Sequence, residues 1–104
     1  MSPNNIKVTQ PQTITLNPSE MKEIQIRRFS ESLNEILKVG HSPKVEFSER
    51  LVQSARIAIA KPLDNAQLNH LCYFADSWNQ DVSIEPILMF SNPYIKIQFT
   101  LKKN

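Results

Sequence analysis

The sequence predicts an α+β domain of two layers, helices packed on one face of an antiparallel sheet, in the order α-β-β-α-β-β. Three observations carry this expectation. "NPSE" at 17–20 opens a stretch whose apolar residues recur at helical spacing, and "DNAQLNHLCYFADSWN" from Asp64 opens a second. Residues 95–102 instead alternate apolar with polar at a period of two, the mark of a half-buried strand, and 44–59 admit the same pattern.

Residues 1–12 are polar and carry Pro3 and Pro11, so a flexible arm is expected there and a single domain over 13–104. "TITL" at 13–16 reads as a short strand. Asn17 is then placed as an N-cap, Pro18 at the first helical position and Glu20 three residues after the cap. Ile26, Phe29, Leu33, Ile36 and Leu37 form the apolar face of this first helix, and Gly40 with Pro43 is expected to stop it.

The stretch "KVEFSERLVQSARIAIAKP" admits two readings. Val45, Phe47, Leu51, Ala55, Ile57 and Ile59 alternate as in strands, while Leu51, Val52, Ala55 and Ile59 also fit one face of a helix beginning at Ser48. The β-branched "RIAIA" and Pro62 favour two strands.

The second helix takes Asp64 or Asn65 as its cap and puts Leu68, Leu71, Cys72, Ala75 and Trp78 on one stripe. His70 and Cys72 lie about 200° apart around it, so they form no nucleophile–base pair within the helix. Cys72 and Trp78 are assigned to the core, with His70, Tyr73 and Asp76 toward the other side.

The last segment reads as a hairpin with Ser91-Asn92-Pro93 as its turn. A symmetric turn puts Phe90 opposite Ile95 and Leu88 opposite Ile97, which sends Ile84, Leu88, Phe90, Ile95, Ile97, Phe99 and Leu101 to the core face. Ile87 and Met89 then point the other way, beside Tyr94 and Lys96, as an apolar patch that asks for a partner.

Composition narrows the chemistry. Twelve Lys or Arg against ten acids give a net charge of +2, too small an excess to argue for nucleic acid or an anionic membrane. The single glycine excludes glycine-rich phosphate loops. His41, His70 and Cys72 have no zinc-ligand spacing, so neither a metal nor another cofactor is expected. The N-terminal "MSPNNIKVTQ" is polar and no apolar run approaches a membrane span; with one cysteine, this sets a cytoplasmic expectation.

Pro86 is followed at fixed spacing by "YIKIQF", with Ile95, Ile97 and Phe99 in the apolar places of a strand, and "RIAIA" precedes the second helix. Over residues 17 to 102 this resembles the pterin carbinolamine dehydratases, in which two histidines precede the proline and a V-x-I-x-L type of strand follows. The resemblance implies helices laid on one face of an antiparallel sheet. In that family the two histidines, and another after the strand, handle protons while the hydroxylated pterin loses water. Here the matching positions are Ile84, Glu85 and Lys102. An isoleucine transfers no proton, so the resemblance implies a scaffold without the family's catalytic set.

Some members of that family act as dimerisation cofactors or as assembly factors for Rubisco. The expected function is therefore a non-catalytic protein-interaction module, a homodimer, binding through Ile87, Met89 and Tyr94 with Lys96 and Glu85 beside them. One alternative is a divergent dehydratase that uses Glu85 with His70 or His41. A second is nucleic-acid binding through Lys44, Arg50, Arg56, Lys96, Lys102 and Lys103 with Tyr94 for stacking. Interleaved Glu46, Glu49 and Glu85 argue against that second alternative.

Overall fold

Asn17 caps the first helix because its side chain satisfies a backbone donor that the helix cannot. Its Oδ1 accepts from the Glu20 N–H at 2.8 Å, and the Glu20 carboxylate accepts in return from the Asn17 N–H at 3.3 Å. This capping box opens α1, Pro18–Leu37. A computed structural model describes residues 17 to 103; the arm over 1–12 and the strand at 13–16 lie outside the described residues.

The first helix ends differently from expectation. Lys38, not Gly40, takes the left-handed conformation that terminates it, at φ 57°. The Asn34 carbonyl accepts from the Lys38 N–H at 2.7 Å. The Asn34 side chain then accepts from Val39 N–H and Gly40 N–H, so the last turn is closed from within.

The ambiguous stretch forms two strands, β1 over Lys44–Ser48 and β2 over Leu51–Ile59. Glu49 and Arg50 form the turn, both at positive φ. The pairing steps from Glu46↔Ser54 to Phe47↔Val52, which leaves Gln53 as an extra residue on β2. Such a bulge inverts the alternation beyond it. Val52 therefore points into the core while Leu51, expected inside, is 49% exposed.

A second capping box starts α2, Asn65–Ser77. Asp64 accepts from the Gln67 N–H at 2.7 Å, and the Gln67 amide also donates to the Ile36 carbonyl at 3.1 Å. The start of α2 is thereby tied to the end of α1. Its buried residues are Leu71, Phe74 and Ala75, with Trp78 packed against them. Cys72 is exposed, a correction to its assignment as core. The stripe is rotated so that Phe74, three residues after Leu71, takes the inward place. His70, Tyr73 and Asp76 face solvent.

Strands β3, Gln80–Met89, and β4, Asn92–Leu101, complete one antiparallel sheet in the order β1-β2-β4-β3. Ile57, Ile97 and Ile84 share one row across the sheet, and Ala55, Phe99 and Val82 the next. Both helices lie on this face. Phe29 is the hub, its ring edge-on to Phe74, Trp78 and Phe99 at centroid distances of 4.8, 5.1 and 5.5 Å. Three elements thus meet on one phenylalanine.

Candidate binding site

The second hairpin carries the surface features of interest, and its turn decides where they point. Met89 pairs with Asn92, so the two-residue loop is Phe90-Ser91, at φ 52° and 65°. Two positive φ values are the type I′ pattern, whose twist matches that of the strands it joins. The expected Ser91-Asn92-Pro93 turn is incorrect, and Ile95 faces Pro86 rather than Phe90. Parity is kept, so the face of each side chain is as expected, but the partners shift along the strand.

That shift carries the distal half of the hairpin beyond the helices. Ile84, Leu88 and Phe90 were expected in the core; they are 38%, 75% and 92% exposed. The first two lie on the sheet face that the helices cover farther along, and Phe90 stands at the tip. Sequence reasoning missed them as surface residues because no Asn-Gly or Asp-Gly pair marks the turn.

On the opposite face, Ile87 is paired with Tyr94 and Glu85 with Lys96. Ile87, Met89 and Tyr94 are half-buried, not fully open. Ile87 and Met89 line an open concavity of about 380 Å³ together with His41, Lys44, Arg56 and Lys96. The Lys96 ammonium donates to the Glu85 carboxylate at 2.9 Å.

Among the described residues, no hydrogen bond joins Glu85 to His41 or to His70, the residues of the catalytic alternative. Glu85 is engaged by Lys96. His41 donates from Nε2 to the Ala58 carbonyl at 3.0 Å on the outer side of the sheet. His70 lines a different hollow, between the two helices, with Glu35 and Tyr73. Lys102 is bound to Asp76 at 3.0 Å; that hydrogen bond, then the carboxylate's charge, raises its pKa and keeps it a cation. Ile84 faces Ile97.

The six cations of the nucleic-acid reading are also dispersed. Lys44, Arg56 and Lys96 share the concavity, whereas Arg50 lies at the far turn beside Pro18 and Met21. Among the described residues, no group of three or more His, Cys, Asp or Glu side chains could hold a metal ion. None of the described helices is long and apolar enough to cross a membrane. In comparisons with known proteins, no family model, no curated protein and no solved structure matches this chain.

Proposed function

We propose that the chain is a non-catalytic protein-interaction module of the cytoplasm, an assembly factor or dimerisation cofactor on a scaffold of the pterin dehydratase type. Its partner is a protein, a second copy of itself included, and the second hairpin is the contact. One observation carries this reading: Phe90 is at once 92% exposed and held at φ 52°.

Neither property helps the monomer. The left-handed region costs a residue with a Cβ about 1–2 kcal/mol, and this turn type favours Asn-Gly. An aromatic ring left in water forgoes roughly 1.5–3 kcal/mol of burial. A residue that is unfavourable on both counts is best explained by a contact made outside the monomer. Leu88 beside it, with Ile87 and Met89 on the other face, gives a partner apolar side chains on both sides of the same strand.

The test is Phe90→Asn, which suits the turn and removes the anchor. The variant is expected to melt at or above the wild-type temperature and to lose both self-association in sedimentation and the partners that wild type retains in a pull-down. Leu88→Asp is expected to lose the same contacts. If both folded variants assemble and bind as wild type does, the hairpin is not the interface.

A further inference from the structure

We infer that the concavity on the outer sheet face is a binding site for a small amphiphilic anion, a carboxylate or phosphate monoester carrying a short apolar tail. The inference goes beyond the hairpin contact: Ile87 and Met89 belong to both, but Leu88 and Phe90, on which that contact is tested, do not line this hollow.

The first argument is charge. Lys44 and Arg56 are direct cross-strand partners, two exposed cations on one face of β1 and β2. Like charges in that position repel and weaken the pairing. Neither has an ion-pair partner among the described residues: Glu46, the nearest acid along β1, accepts instead from the Ser54 hydroxyl at 3.1 Å. Lys96 of β4, its ammonium already paired with Glu85, borders the hollow as well, and no acidic side chain lines it, so the uncompensated charge is that of Lys44 and Arg56. An anion between these groups removes the repulsion and gains charge-assisted hydrogen bonds, bidentate from the Arg56 guanidinium.

The second argument is shape and polarity. Ala58, Ile87 and Met89 supply an apolar wall beside the cations. A volume of about 380 Å³ lies in the range of small-ligand sites, which combine such walls with a few convergent polar groups. His41 closes one side, where its bond to the Ala58 carbonyl holds the segment before β1 against β2. All four strands and the segment before β1 thus build one site with a cationic end and an apolar end. Inorganic phosphate satisfies the first alone and an alcohol the second alone.

Octanoate and octyl phosphate are the probes, with octanol and inorganic phosphate as controls, titrated into the isotope-labelled full chain and followed by amide NMR. Both amphiphilic anions are expected to shift the amides around Lys44, Arg56, Ala58, Ile87 and Met89, saturating below about 1 mM. Each control is expected to bind about tenfold more weakly or worse, and salt near 1 M to weaken the anions. Lys44→Glu and Arg56→Gln, with unchanged melting temperatures, are each expected to raise the Kd about tenfold, whereas Phe90→Asn leaves it unchanged. Octanol binding as tightly as octanoate, no saturable shift at these amides, or wild-type affinity in Lys44→Glu would overturn the proposal.

Discussion

Gln80 shows what a single residue can hold in this fold. It is the one buried polar side chain among the described residues, at the first position of β3. Its Nε2 donates to the Val52 carbonyl at 3.0 Å, at the end of β2 beyond its last pairing with β4, Ser54↔Thr100. The amide therefore reaches β2 where its pairing with β4 has ended, while Gln80 Oε1 stays without a protein partner. Gln80→Ala removes this buried hydrogen bond and is expected to destabilise the fold by about 1–3 kcal/mol in urea unfolding. A loss below about 0.5 kcal/mol would mean that water replaces the amide without penalty. Nothing in the sequence marks Gln80, because a glutamine before an alternating strand is ordinary. Cys72 and Phe74 illustrate the same limit, since both fit an apolar helical stripe and only the angle at which α2 meets the sheet selects the ring.

At the scale of elements, starts were more legible than stops. Both capping boxes use a short polar side chain and a residue three positions on, a local pattern that the sequence displays openly for Asn17 and Glu20. The stops and turns instead place Lys38, Glu49, Arg50, Asn79, Phe90 and Ser91 at positive φ, where glycine is the usual marker. Only Gly40 among the positive-φ residues is a glycine, so punctuation by residue type was nearly silent. Lys38→Gly is expected to stabilise the protein by roughly 0.5–1 kcal/mol, because the strain relieved at φ 57° exceeds the backbone entropy lost. Thermal unfolding checks it, and a lower melting temperature would show that the lysine side chain contributes more than its strain costs.

For the whole molecule, sheet order determines how it can associate. Strand β4 lies between β2 and β3, so among the described strands β1 and β3 are the edges. Edge β1 has only five residues, and edge β3 contains Pro86, which has no N–H to offer an incoming strand. Both edges are poor templates for strand addition, so the proposed association uses side chains, at the hairpin tip and the outer face. The same architecture bears on chemistry. The groups at the resemblance's catalytic positions are an aliphatic chain, a carboxylate held by Lys96 and an ammonium held by Asp76. No acceleration of 4a-hydroxytetrahydropterin dehydration over the uncatalysed rate is expected. Turnover abolished by Glu85→Gln would show that a carboxylate has taken over the proton transfer.

By itself the sequence determined the α+β class, the two helices and the final hairpin, the first helix's cap and the face of each residue on β4, while it only favoured two strands over 44–59, since periodicity and capping are local and repeat within one element. Tertiary structure alone decided the bulge at Gln53, the Phe90-Ser91 turn, the exposure of Leu88 and Cys72, and the meeting of Lys44 and Arg56 with Lys96. Each of these depends on register or on how far one layer extends over another. A one-residue slip or a half-turn rotation changes such relations completely while leaving the local pattern of apolar and polar residues intact.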